Sequence, residues 1–394
     1  MGLYLRAQAL DRGTRLNSPT AIRRTAFALG TVFVLAMVAA RWSPRTGFTS
    51  LLCFGGPKWE ERLPELRRLP VARDTGTGYD GQFGAQLAVT ADPSSAETRA
   101  ALDNPAYRAR RILLAWSAHV LGGGQPWRVL QVYALQNLAL WLILAWLVAA
   151  EVRAAPEREA AAIWLCCLLT LGVLDCVRLS LTDLAGVLLV TAAVRAERCG
   201  RAWAAAAALA VAGLARETSL LSLPLLAPAG PAAGRPGWKT AGRFLLAVAP
   251  LALWVTWLAR TLPPGGALGN GNFDWPGTAL ARHLALCLSH LGRGDLDSRY
   301  VGGFLGALGL AAQSLCLLIR LRWQEPWLRA AAGFAVLFWF LGDNVWHGYW
   351  AAARAVLPMT FAFNLLLPRR RGFWAWLLLT NAPLVAHGIW RMLP

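Results

Sequence analysis

Residues 127–150, WRVLQVYALQNLALWLILAWLVAA, decide how this chain is read. They carry one charge, Arg128, at the second position, and none from there to Ala150. A helix rises 1.5 Å per residue, so about 20 apolar residues cross the ~30 Å hydrocarbon of a bilayer. A charged turn follows at once, with Glu151, Arg153, Glu157, Arg158 and Glu159, and then another apolar run. The same alternation continues outward. Apolar segments lie near 25–40, 160–177, 184–196, 201–215, 218–230, 243–260, 301–319, 330–342, 351–367 and 373–390. With 127–150 they predict an all-α polytopic membrane protein of about 11 transmembrane helices, a single transmembrane domain over 1–394. The run 25–40 reads as an uncleaved first span rather than a signal peptide.

Composition supports the same class. The chain is 56% hydrophobic and 15% charged, against roughly 45–50% and 25% in soluble domains. Seven Cys, mostly inside apolar runs, do not form a disulfide framework. Cys53 and Cys287 fall in loops and are the one pair open to bridging. The 37 Arg against two Lys read as a genomic bias. A net charge of +18 would suggest nucleic acid in a soluble protein. Here its distribution sets orientation. The N-terminal tail 1–24 and the short segments 151–159, 195–201, 231–243, 320–329 and 368–372 hold 19 basic and 6 acidic residues, a surplus of 19 − 6 = +13. The remainder, 20 basic and 15 acidic, carries 20 − 15 = +5. The positive-inside rule places the first set in the cytoplasm. The N-terminus is then cytoplasmic, the C-terminus extracytoplasmic, and no nucleic-acid partner is expected. Residues 41–126 become a first extracytoplasmic loop containing surface helices, one over 108–121, and 261–300 a second.

Chemistry is sought among the outward charges, because ionisable groups near the bilayer are costly. In Gly76-Thr77-Gly78-Tyr79-Asp80-Gly81-Gln82-Phe83, Asp80 is a candidate general base; the ordinary alternative is an Asp-Gly surface turn. Asp183, after Thr182, either caps the fourth span or serves a site. Arg216-Glu217 separates two short apolar segments, as a structural ion pair or an anion clamp. Arg108, Arg110 and Arg111 form a second cluster, alternatively a solvated face; guanidinium forks suit phosphate. His347 stands among aromatics, and Arg354 inside a span needs a partner or a cavity. His283 and His290 share a helical face near Asp295 and Asp297, a weak metal pattern.

The order of these features resembles the GT-C class of integral-membrane glycosyltransferases, which use polyprenyl-phosphate sugars. Tyr79-Asp80-Gly81-Gln82-Phe83 followed by Pro105-Ala106-Tyr107-Arg108-Ala109-Arg110-Arg111-Ile112-Leu113 is similar to runs in bacterial mannosyltransferase-like membrane proteins. Thr182-Asp183, Arg216-Glu217-Thr218 and Ala353-Arg354-Ala355-Val356-Leu357-Pro358 match further short elements in order. The paired acids common in the first outer loop of the class are absent, since Gly81 follows Asp80. The resemblance implies an inverting hexosyl transfer on the outer face of the bacterial plasma (inner) membrane, part of cell-envelope assembly. The donor would be a polyprenyl-phosphate sugar, and the acceptor a lipid, glycan or protein. Asp80 would be the base. Tyr79, Gln82, Arg108, Arg110, Arg111, Asp183, Arg216, Glu217, His347 and Arg354 would bind substrate. The pattern names no cofactor and leaves metal dependence open; a divalent cation is compatible with it, and no metal ligands are evident. Two rivals remain open: a lipid or glycan transporter or flippase, and a non-catalytic subunit of an envelope-assembly complex. The first predicts matching halves, which the segments do not show.

Overall fold

The computed structural model describes residues 20–228, 237–263, 271–320 and 322–393. The tail arginines Arg6, Arg12 and Arg15, Arg235 of the 231–243 segment, and residues 264–270 of the second loop lie outside the described residues. The described chain is all helical, with three isolated β-bridges and no strand. Four helices are long and apolar enough to cross a membrane: α1 (Thr20–Ala39), α4 (Pro126–Glu151), α9 (Trp238–Thr261) and α11 (Ser298–Ile319). A fifth span results if α5 (Glu157–Leu168) and α6 (Leu171–Leu179), bent by 46°, act together. The other packed segments are α7 (Asp183–Arg198), α8 (Ala202–Ala215), a 3-10 run Glu217–Leu226, α12 (Pro326–Phe340), α13 (Tyr349–Ala355), α14 (Leu357–Leu366) and α15 (Phe373–Met392). Between α1 and α4 lie α2 (Asp80–Thr90), α3 (Leu113–Leu121) and shorter helical turns; α10 (Thr278–Gly292) lies between α9 and α11.

Local chemistry sets the ends of these elements. Pro126 occupies the first turn of α4, where its missing N–H costs nothing, and the Gln125 side chain accepts from Arg128 N–H at 3.2 Å. The α5–α6 bend falls at Leu169-Thr170, with Thr170 extended. The Glu217–Leu226 run follows Arg216, whose extended backbone ends α8. A 3-10 helix rises about 2.0 Å per residue, so this run covers about 20 Å, and the Ser222 hydroxyl anchors it by donating to Ala330 O at 2.7 Å.

Ion pairs tie the segments together at two opposite ends of the helices. At one end, Arg23 meets Glu157 at 3.4 Å, Arg369 meets Glu159 at 3.3 Å, Arg329 meets Glu197 at 3.8 Å, and Arg198 pairs with Glu151. At the other, Arg391 meets Asp175 at 2.9 Å, Arg111 meets Glu217 at 2.9 Å, and Arg41 donates to Leu393 O at 2.8 Å. Helix α4 thus ends, and α5 begins, at the first of these ends, at Glu151 and Glu157. Between the ends the core is apolar with a small amide network: Asn364, Asn381 and Gln313 bond one another at 2.9–3.4 Å. Large apolar side chains such as Leu29, Trp146, Leu245, Leu253 and Leu379 point outward, which fits burial in lipid rather than water.

The loop cysteines do not pair. Cys53 and Cys287 are both free, and Cys287 Sγ lies 3.6 Å from His283 Nε2. The histidine-acid pattern resolves into one pair, His290 Nδ1 with Asp295 at 3.0 Å, and packing. His283 lies 5.1 Å from Trp346 and His290 stacks on Tyr300 at 3.7 Å, while Asp297 caps α11.

Candidate functional site

The site is built around the turn between α6 and α7. Ser180 adopts a left-handed backbone (φ 51°) that L-residues visit rarely. The turn is pinned from α4: the Asn137 amide donates to Cys176 O and to Leu181 O, both at 2.8 Å. With Thr182 in the cap position and making no side-chain cap bond, Asp183 becomes the first residue of α7. It lies 2.7 Å from Arg216 Nη1 and 3.2 Å from Arg354 Nη1, so the capping explanation gives way to an ion triad. Asp183 is 4% exposed and Arg354 7%.

Arg354 connects this triad to the first loop. Its Nη2 donates to the Tyr79 hydroxyl at 2.8 Å, and Trp350 Nε1 donates to the same oxygen at 3.2 Å. Tyr79 is the residue before α2, so fixing its ring fixes where that helix starts. Asp80-Gly81 is the first turn of α2 rather than a surface turn. Gly81 is required there, because a Cβ would collide with Leu179 O; at Gly84 a Cβ would collide with the Tyr133 hydroxyl. These contacts seat α2 directly against α6 and α4.

Asp80 faces a cleft lined by Arg108, Arg111, Tyr133, Asp183 and Arg354. Its carboxylate lies 2.8 Å from Arg108 Nη1, and Arg108 is held on its other edge by Asp103, with Nε and Nη2 at 2.8 and 2.6 Å. Arg111 makes a forked pair with Glu217 at 3.0 and 2.9 Å and also donates to the Tyr107 hydroxyl at 2.8 Å. Burial disfavours the charged form of Asp80, but Arg108, and then Arg354 and Arg111, outweigh it and hold its carboxyl below the usual range. Asp80 is therefore ionised at neutral pH. Arg216 lines an adjoining recess that shares Asp183 and Arg354 with the cleft. The four arginines 108, 111, 216 and 354 face four carboxylates, 80, 103, 183 and 217. Even so, the buried Nε–H groups of Arg216 and Arg354 find no acceptor. Unpaired buried donors on charged groups are costly, and each has the chemistry to receive an anion's oxygen.

The structure thus brings together Tyr79, Asp80, Arg108, Arg111, Asp183, Arg216, Glu217 and Arg354. Three candidates stand apart. Gln82 is 2% exposed and its Oε1 accepts from Gly55 N–H at 3.2 Å, pinning the loop behind Asp80. Arg110 is half-buried and forms no ion pair with a described residue. His347 is exposed just after a short helix, with its backbone N–H on Asp343 O at 2.7 Å. Tyr133, which lines the cleft from α4, is the residue that sequence reasoning missed; nothing marks it among the aromatics of an apolar run. Among the described residues no three His, Cys, Asp or Glu side chains come together as a metal site.

The arrangement offers an ionised carboxylate beside a set of guanidiniums with spare donors, at one end of an all-helical membrane protein. No family model matches the chain, and no curated protein or solved structure matches it.

Proposed function

We propose that the chain is a membrane glycosyltransferase of GT-C type, with about 11 spans. It would move a hexosyl group from a polyprenyl-phosphate donor to a lipid, glycan or protein acceptor on the extracytoplasmic face of the plasma membrane. The observation that carries this reading is that ionised Asp80 shares a cleft with Arg354, and that Arg354 and Arg216 of the adjoining recess each keep a buried Nε–H without an acceptor. In the transfer, the acceptor hydroxyl gives its proton to the Asp80 carboxylate as its oxygen bonds to the anomeric carbon from the face opposite the phosphate. The anomeric carbon–oxygen bond to phosphate breaks, and polyprenyl phosphate leaves with the electron pair. Guanidiniums placed where that charge develops lower the barrier. Asp183 and Glu217 position Arg216, Arg354 and Arg111. Fixed ion pairs reduce the reorganisation needed when the phosphate arrives.

The decisive test is incubation of the purified protein with a panel of polyprenyl-phosphate sugars and envelope acceptors, read by mass spectrometry. The expected result is an acceptor heavier by one glycosyl unit together with free polyprenyl phosphate. Consumption of no donor in the panel would sink the reading. Orientation is tested separately, with a single Cys placed by Trp275→Cys or Glu325→Cys in a background in which all seven native cysteines are replaced by Ser. An impermeant thiol reagent added outside is expected to label position 275, which is 81% exposed, and not 325. The reverse pattern would put Asp80 on the cytoplasmic side.

A further inference from the structure

A second basic recess lies at the same end of the helices, on the other side of Leu179. Arg41 beyond the end of α1, Arg73 of the first loop and Arg178 in the last turn of α6 line it, with Asp74 and Cys53. Its volume is about 150 Å³. Leu179 also packs against Gly81, so the turn that seats α2 separates this recess from the Asp80 cleft.

The two basic regions differ in how their charge is matched. Around the Asp80 cleft, Arg108, Arg111, Arg216 and Arg354 each have a carboxylate within 3.2 Å. In the second recess none of the three arginines forms an ion pair with a described residue. Arg41 spends its Nη2 on the carbonyls of Met392 and Leu393, at 3.4 and 2.8 Å. Arg73 lies 4.9 Å from the Trp59 ring. The half-buried Arg178 guanidinium bonds to no described residue. Asp74, the one acid in the lining, accepts from Gly76 N–H at 3.0 Å. The formal charge of the lining is 3 − 1 = +2. Burial and the neighbouring Arg178 push the Arg41 guanidinium below its usual value. Like charges gathered in a partly desolvated recess repel one another unless a counter-ion fills it. Guanidiniums bind phosphate oxygens in forked pairs, and Arg178, whose guanidinium bonds to no described residue, is free to make one in a recess that Arg41 and Arg73 also line.

We propose that this recess binds a phosphate-bearing anion, either a free phosphate ester or the phosphate of a lipid headgroup. The assignment does not depend on what the Asp80 cleft does. The test uses the full chain with two probes. Equilibrium dialysis with radiolabelled inorganic pyrophosphate reads a soluble anion. Native mass spectrometry after exchange into phosphatidylglycerol reads a retained headgroup. Binding of either probe that weakens at least tenfold in Arg178→Gln supports the site, and the probe that binds identifies the source. Arg73→Gln, on an exposed loop residue, decides in the same way if Arg178→Gln does not fold. Binding of neither probe overturns the proposal. So does binding that weakens less than tenfold in the folded variants, because the anion then sits elsewhere, for example on the arginines of the Asp80 cleft.

Discussion

Asp80→Asn is expected to lower turnover by about 10²–10⁴-fold, the range a positioned general base contributes, while the protein stays folded. The amide keeps the shape and volume of the side chain but cannot take a proton from the acceptor. Folding should be little affected, because the Asn amide oxygen can still accept from Arg108 Nη1, which lies 2.8 Å from the carboxylate in the parent. Arg108 also keeps its forked contact with Asp103 in the variant. The pH profile gives an independent reading. Arg108, Arg354 and Arg111 hold the Asp80 carboxyl below its ordinary value against the opposing effect of burial, so activity should persist below pH ~4, the ordinary Asp range. A folded-state pKa that is depressed contributes stability above the unfolded value. That stability is lost as pH falls through the folded value, so acid should remove activity and this increment of stability together. Single-turnover rates from pH 3 to 8, with folding checked by tryptophan fluorescence, would measure both. Product formation by folded Asp80→Asn at the wild-type rate removes Asp80 from catalysis.

The parts of this site that were legible in sequence are those encoded by short-range pattern. The apolar runs announced the segments, and 184–196 and 301–319 became Asp183–Arg198 and Ser298–Ile319. Hydropathy is blind to backbone geometry. It could not tell that 218–230 begins as a 3-10 run, that 160–177 bends at Thr170, or that 351–367 breaks at Val356 before Pro358. The helix Thr278–Gly292 lies within the stretch 261–300 that the span pattern assigns to the second outer loop, because at 15 residues it is too short to count as a span. Asp80, Asp183, Arg216 and Arg354 stood out because charge is rare and costly near apolar segments. Their partners did not. Arg111 and Glu217 are 106 residues apart, and Arg354 and Asp183 are 171 apart, so the pairings depend on which helices pack side by side. Asp183 after Thr182 looked like a helix cap because local sequence cannot see two arginines arriving from other segments. Gln82, within the same motif as Asp80, faces the opposite way, and only the seating of α2 against Leu179 and Tyr133 makes that evident.

Asp183→Asn is expected to destabilise the fold by about 3–5 kcal/mol, the cost of removing one partner from a buried pair. The reason is the charge left behind. Arg216 and Arg354 both converge on Asp183, and each already carries a buried Nε–H without an acceptor. Neutralising Asp183 leaves two guanidiniums facing each other across an amide, at a position where the protein and its surroundings screen poorly. The contrast is Asp343→Asn. Asp343 is also paired, with Arg282 at 2.7 Å, but is 60% exposed, and such surface pairs contribute about 0–1 kcal/mol. Reversible unfolding in mixed micelles should therefore separate the two variants by about 30-fold to several thousand-fold in the folded-to-unfolded ratio. Adding Arg354→Gln to Asp183→Asn should recover part of the loss, since it removes one of the unmatched charges, and the non-additivity of that double variant measures the coupling. Asp183→Asn within about 1 kcal/mol of the parent would mean the triad is dispensable for folding. The same substitution removes the charge from one of Arg354's two anchors and leaves the Tyr79 hydroxyl, at 2.8 Å, as the stronger of the two. A weakened donor affinity in the folded fraction would then report the loss of that aim, separately from the loss of stability.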